Sequence, residues 1–235
     1  VYTELDLERL VGERKKSNTY NIVGSEKYVS VKLDMNIGDT KITRYVDKQP
    51  FVPSDDKKRE KRSEEILSIQ SLGLKKRLDH THAKTAVVGV SGGLDSTLAL
   101  LVTVRAFDSL NLDRKNIIAV TMPCFGTTDR TYNNAVNFAN SLGVTLKEVN
   151  IKAAVNQHFA DIEHDPNLYD VTYENSQARE RTQILMDVAN KSGGLVIGTG
   201  DMSELALGWA TYNGDHMSMY GVNAGAVSYT HLRAH

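Results

Sequence analysis

The chain has 235 residues, 40% of them hydrophobic, enough for one sizeable core or a core with a smaller appended piece. Its 28 Lys and Arg nearly balance 29 Asp and Glu, leaving a formal charge of −1, so no bulk attraction draws it to nucleic acid or to an acidic membrane surface. A single cysteine, Cys124, excludes a disulfide framework and a cysteine-cluster zinc site and fits a reducing compartment, and no run approaches the roughly 18 apolar residues of a spanning helix.

Val1 opens the text in mid-element, with no leader pattern, and the chain is expected to be a piece of something longer. YTELDLERL alternates and then turns charged, as a strand entering a helix would. KYVSVKLDM and TKITRYVD alternate about an NIGD turn, so residues 1–49 read as the end of a β-rich domain. Residues 50–83 form a linker and helix. PFVP punctuates; Ser54-Asp55-Asp56 then precedes a helical pattern with acids early and bases late, as a helix dipole favours. On it Leu67, Leu74 and Leu78 share one side, as do Ile66, Ile69 and Gly73. The charge run Lys57–Arg62 interleaves both signs and reads as a solvated face. His80 and His82 lack the further ligands a metal would need.

Residues 84–226 carry the information. Apolar, β-rich runs stand at 85–90, 117–122, 144–149 and 194–200. Helical patterns occupy about 94–108, 130–142, 152–162 and 176–191, with Gly143 and Gly193 where C-terminal caps belong. Strands alternating with helices predict an α/β fold, a parallel sheet with helices on both faces. Ligands of such sheets bind beyond the carboxyl ends of the strands, which directs attention to the loops 91–96, 123–130 and 199–204.

The first of these reads VVGVSGGLDSTLAL. Gly92 and Gly93 let backbone N–H groups approach a ligand, and the following helix start makes an anion nest, with Ser91, Ser96 and Thr97 as hydroxyl donors. The loop is neither a GxxxxGK[ST] nor a GxGxxG motif, and it has no lysine. Asp95 would repel phosphate unless it holds Mg²⁺ that bridges to the phosphate oxygens. The plainer alternative is that Asp95 and Ser96 cap a helix after a tight glycine turn. In GTGDMSELALGW, Glu204 opens a short helix after the fourth strand. It is either a second oxygen ligand beside Asp95 or half of a helix-start capping arrangement. Asn175 and Arg179, at i and i+4, share a helix face, with Ala178, Arg181, Leu185 and Val188 on other stripes.

SGGLDST after an apolar strand resembles the pyrophosphatase loop of enzymes that split ATP to AMP and pyrophosphate. MPCFGTTDRTYNNA (122–135), ENSQARERTQILMDVAN (174–190) and GTGDMSELALGWATYNGDHMSMYGVNAG (198–225) then resemble the glutamine-dependent NAD synthetases. The likeness covers 84–226 and the PFVPSDDKKREKR connector, while 1–49 resembles the end of that family's nitrilase-like glutaminase domain. It implies an adenine nucleotide alpha hydrolase-like fold. The implied activity is ATP-dependent amidation of deamido-NAD through an acyl-adenylate, with ammonia from glutamine. It further implies Mg²⁺, small-molecule substrates and no nucleic-acid or membrane partner, a cytoplasmic setting and a homo-oligomer. By the same resemblance ATP lies on Gly89, Ser91, Gly92, Gly93, Leu94, Asp95, Ser96, Thr127, Thr128 and Thr199. Deamido-NAD lies on Asn175, Arg179, Glu204, Trp209 and Tyr212, and the metal on Asp95 and Glu204. Cys124 stands where relatives usually carry Gly and is not the glutaminase nucleophile, whose triad is absent from this chain. Residues 227–235, VSYTHLRAH, resemble translated adapter sequence and are expected to be foreign, so His231 and His235 are not read as ligands. With the glutaminase and the family's closing C-terminal segment absent, the chain by itself is expected to be inactive. The rivals are another pyrophosphatase-loop amidotransferase or tRNA-modifying enzyme, or a non-catalytic nucleotide-binding module.

Overall fold

A computed structural model describes residues 5–19, 29–32, 34, 38–39, 41, 43, 45, 52–126 and 128–226. The chain divides into two units, Val1–Lys48 and Gln49–His235. In the first, helix α1 spans Leu7–Lys16, capped by Asp6, which accepts from the Arg9 N–H at 2.9 Å. Of the alternating stretches KYVSVKLDM and TKITRYVD only residues 29–32, 34, 41, 43 and 45 are described, and the tail 227–235 falls wholly outside the described residues.

The second unit opens with α2, Asp56–Thr81, whose N-cap Asp55 accepts from the Lys58 N–H at 2.8 Å. Leu74 and Leu78 are buried and Leu67 packs beside them, whereas Ile69 is exposed, so one of the two expected stripes is the core face. His82 is the left-handed residue that ends α2. The remaining elements alternate: β1 Thr85–Gly89, α3 Leu94–Ser109, β2 Ile117–Thr121, α4 Asp129–Leu142, β3 Thr145–Glu148, α5 Lys152–Asp161, α6 Val171–Ser192, β4 Gly194–Gly198, α7 Met202–Leu207 and β5 Tyr220–Gly221. All pairings are parallel, in the order β3-β2-β1-β4-β5. Gly143 and Gly193 cap α4 and α6 in the left-handed region, as expected.

Successive strand residues face opposite sides, and the core divides accordingly. Ala86, Val88, Ile117, Ala119 and Ile197 pack under α2, α3 and α4. Val87, Val120 and Val196 pack against α5 and α6, around Phe159, Ile151 and Ala189. Helices therefore cover both faces, which is why the central strands read as continuous apolar runs. Full burial of each Val or Ile contributes on the order of 1.5–3 kcal/mol.

Two features depart from the expected pattern. α6 starts at Val171, five residues before the predicted start near 176, because the Asp170 carboxylate accepts from the Thr172 and Tyr173 N–H groups, both at 2.9 Å. The β-branched and aromatic run Val171-Thr172-Tyr173 hid that start. The two-residue β5, paired with Ile197 and Gly198, is too short to show periodicity. The strand order reverses beside β1: β2 and β3 lie on one side of it, β4 and β5 on the other. Such a switch point opens a crevice at the strands' carboxyl ends, here between the loops after β1 and β4. Among the described residues no helix is long and apolar enough to cross a membrane.

Candidate active site

The loop after β1 is built by close contact. Val90 extends the ladder by one bond, its N–H donating to Val120 O at 2.9 Å, and Ser91-Gly92-Gly93 then turns into α3. Gly92 has φ +80°, and a Cβ there would lie 2.1 Å from the Thr131 carbonyl oxygen of α4, so both conformation and space demand glycine. Gly93 is the N-cap and has no side chain to bond the first-turn N–H groups of α3, which leaves that helix end suited to an anion. The hydroxyls behave differently from the donor role expected of them. Ser96 Oγ, buried, lies 3.1 Å from Gly93 O and accepts from Ser91 N–H at 3.3 Å, while Thr97 Oγ1 donates to Gly93 O at 2.8 Å. They fasten the loop to its own helix. The N-cap itself is Gly93, so the side-chain bonds at this helix start come from Ser96 Oγ, accepting from Ser91 N–H, and from Ser91 Oγ, accepting from Gly93 N–H at 3.3 Å.

The loop after β4 is held by side chains. Asp201, buried, caps α7: its Oδ1 accepts from Glu204 N–H at 2.9 Å, and Glu204 Oε2 accepts from Asp201 N–H at 3.2 Å. Glu204 is therefore half of a capping box, one of its two sequence readings. The other reading draws on electrostatics. Partial burial pushes the Glu204 carboxyl above the ordinary glutamate range; the negative charges of Asp201, Asp95 and Asp215 add to this, and only the Asp201 N–H opposes it. The charge of Asp95 thus bears on Glu204.

Both loops open on one cavity of about 760 Å³. Of the predicted ATP residues, Gly89, Ser91, Gly93, Asp95, Ser96 and Thr199 line it. Gly92 and Leu94 do not line it, Thr128 is the N-cap of α4, and Thr127 lies outside the described residues. Of the predicted deamido-NAD residues, Glu204 and Trp209 line the cavity, Trp209 being 76% exposed. Asn175, Arg179 and Tyr212 do not; Arg179 Nη1 instead donates to Tyr212 O at 3.2 Å, tying α6 to the segment that carries Trp209. The wall-facing stripe of α6 is Tyr173, Gln177, Arg181 and Leu185, offset by two residues from the one singled out. Their regular spacing of four was the available signal.

Around Tyr173 the wall becomes aromatic: its ring centroid lies 4.8 Å from Tyr169, edge-on, and 5.9 Å from Phe125, and all three line the cavity. Such rings suit a flat heterocycle. Cys124, beneath them, is buried, and burial pushes its thiol up, against the opposing pull of the Phe125 N–H and of Arg181 and Lys152. Among the described residues no three His, Cys, Asp or Glu side chains cluster as a self-sufficient metal cage. Mg²⁺ needs none, because it keeps waters and takes one or two carboxylates together with substrate phosphates. Two carboxylates sharing an acidic rim beside an N–H nest fit that demand.

The arrangement can hold a polyphosphate by its backbone, a divalent ion by two acids and flat rings by the aromatic wall. Among known proteins, the NAD synthase family model matches residues 66–222. Glutamine-dependent NAD(+) synthetases of Mycobacterium bovis and Mycobacterium tuberculosis are 41% identical over 235 residues, covering 94% of this chain and 35% of theirs. That of Aquifex aeolicus is 31% identical, over 90% of this chain and 35% of its own. Among solved structures, the glutamine-dependent NAD+ synthetase of Acinetobacter baumannii, in complex with ADP, has a TM-score of 0.66 and 30% identity, covering 72% of this chain and 31% of that one. The NH3-dependent NAD synthetase of Campylobacter jejuni shares the fold, with a TM-score of 0.64, 24% identity and coverage of 72% and 69%. The chain spans about a third of the length of its curated relatives. With a family match across the whole sheet and these relatives along nearly all of its length, the chain belongs to the NAD synthase family.

Proposed function

We propose that the protein carrying this chain converts deamido-NAD to NAD, consuming ATP and releasing AMP and pyrophosphate, with ammonia supplied from glutamine. The observation that carries the reading is the meeting, in one cavity, of Ser91 and Gly93 of the glycine loop with Asp95 and Glu204 at the switch point of a sheet whose sequence is that of this family.

A nicotinate carboxylate oxygen attacks the α-phosphorus of ATP, the bond to the bridging oxygen breaks, and pyrophosphate leaves into the backbone nest at the start of α3. Ammonia then attacks the carbonyl carbon of the acyl-adenylate. Its nitrogen loses a proton, the carbon–oxygen bond to AMP breaks, and the amide remains. Asp95 and Glu204 would hold Mg²⁺, which supplies neutralisation of the phosphate charge when bound. Ser91, Gly93 and Thr199 position the triphosphate, with Gly89, Leu94 and Ser96 shaping the loop and Thr127 and Thr128 toward the adenosine. Trp209 and the aromatic wall take a ring of deamido-NAD, with Asn175, Arg179, Glu204 and Tyr212 as its further contacts and Arg181 as a cation on the wall.

In this reading 84–226 is the synthetase domain, 50–83 links it to a glutaminase whose end is 1–49, and 227–235 is foreign. The protein is a cytoplasmic homo-oligomer with small-molecule substrates and no nucleic-acid or membrane partner, as its balanced charge suits. Pyrophosphate release by the full-length protein tests the assignment. Release with deamido-NAD, and not with XMP or aspartate, is expected; release with either of the latter in its place contradicts it.

A further inference from the structure

Asn223 follows β5, is fully buried, and no part of its sequence context marks it as chemical. Its Nδ2 donates to two carbonyl oxygens at once: Asp95 O at 2.9 Å and Thr199 O at 3.0 Å. Those carbonyls belong to the first turn of α3 and to the loop after β4, the segments that bring Asp95 and Glu204 to the cavity. The amide's orientation is forced. Gln70 of α2 donates through Nε2 to Val222 O at 2.8 Å, so the same nitrogen faces Asn223 Oδ1, at 3.3 Å. With Oδ1 taken, Nδ2 must face those two segments. The backbone of the segment is pinned as well: Val222 N–H donates to Gly198 O at 3.3 Å, Ala226 N–H to Asn223 O at 2.8 Å, and Met202 N–H to Ala226 O at 2.8 Å.

We propose that Asn223 is a positioning residue that sets the span between Asp95 and Glu204, and that Gln70 orients its amide. The inference rests on the reading of those acids as a shared cation site. A buried asparagine that merely satisfied two stray carbonyls would have no reason to take one from each segment. Because both acceptors are backbone atoms of the segments that bear the acids, a change in the Asn223 amide alters the acids' separation without touching a substrate. Two-armed hydrogen bonding of this kind makes metal affinity, rather than the fold alone, sensitive to one side chain.

The test uses the full-length protein with Mn²⁺ as the probe, its binding with a non-hydrolysable ATP analogue followed by electron paramagnetic resonance, together with the half-saturating Mg²⁺ for pyrophosphate release. Asn223→Ala is expected to weaken Mn²⁺ binding and raise the half-saturating Mg²⁺ by about tenfold, the worth of losing two neutral hydrogen bonds. A lower Tm and a lower kcat with unchanged metal affinity would reduce Asn223 to a purely structural role and overturn the proposal. Should Asn223→Ala not fold, Gln70→Met keeps the side chain's length and removes the amide, with its bonds to Val222 O and Asn223 Oδ1. A shift of about threefold in the same direction then supports the proposal, and none overturns it. Asp95→Asn separates this inference from its foundation. If Asp95→Asn loses Mn²⁺ binding while Asn223→Ala and Gln70→Met keep it, positioning alone fails. If Asp95→Asn binds Mn²⁺ as before, the cation site fails and the positioning role falls with it.

Discussion

The two loops that meet at the switch point are held in different ways. The loop after β1 turns on a missing side chain: Gly92, at φ +80°, lies against the Thr131 carbonyl, while the hydroxyls of Ser96 and Thr97 bond Gly93 O and the Asn223 amide bonds Asp95 O. The loop after β4 is fixed by side chains, through the Asp201–Glu204 capping box and the Asn223 amide. A surface suited to phosphate gains from bare backbone, since glycine lets the chain turn tightly enough to present its N–H groups. A surface that supplies a ligand needs its carboxylate aimed, and aiming requires hydrogen-bonded support from behind.

The comparison predicts unequal sensitivity to substitution. The largest effect belongs to Gly92→Ala. The new Cβ meets a backbone carbonyl that cannot rotate away, at a left-handed φ, so the variant is expected to lose about 3 kcal/mol of stability and pyrophosphate release at least a hundredfold. Denaturant unfolding and the release assay check both; a fully active Gly92→Ala would break the contrast between the loops.

Next come the two stripes of α6. Arg181→Ala removes the cation that lines the cavity and is expected to raise the KM for deamido-NAD by tenfold or more. Arg179→Ala removes the bond to Tyr212 O and is expected to raise it a few-fold, through the Trp209 segment. The reverse ranking would restore Arg179 as the direct contact, reached from outside this cavity.

The smallest effect is at the second loop. Asp201→Ala removes the N-cap acceptor of α7 and is expected to cost about 1 kcal/mol by denaturant unfolding, with a several-fold rise in half-saturating Mg²⁺ as Glu204 loses its reciprocal bond. Unchanged metal dependence would mean that the box supports the helix and nothing more.

Much of this was legible along the chain. The four longer strands, the loops that follow them and both glycine caps are local signals, set by period, by β-branching and by positive φ. SGGLDST is read as a cradle from two glycines and an acid at a strand's end, and the proposed function rests on that reading. Glu204 could be read both as cap and as ligand, and the capping box makes one of those readings concrete without excluding the other. What stayed hidden is non-local. Asn223 bonds a residue 128 positions away, and no window around YGVNAG contains its partners. The wall stripe of α6 was missed because a helix presents several residues at spacings of four, and only packing against β1 and β4 selects which of them face the cavity. The α6 start was masked by residues with strand preference, which the Asp170 cap overrode.

A double-mutant cycle on Asp95→Asn and Glu204→Gln in the full-length protein, read by Mn²⁺ affinity in the presence of an ATP analogue, tests the central claim most directly. If the two acids grip one ion, either change alone is expected to remove most of the binding, and the double variant to lose little more than the worse single one. Losses that simply add, as for residues acting at separate places, would contradict the account.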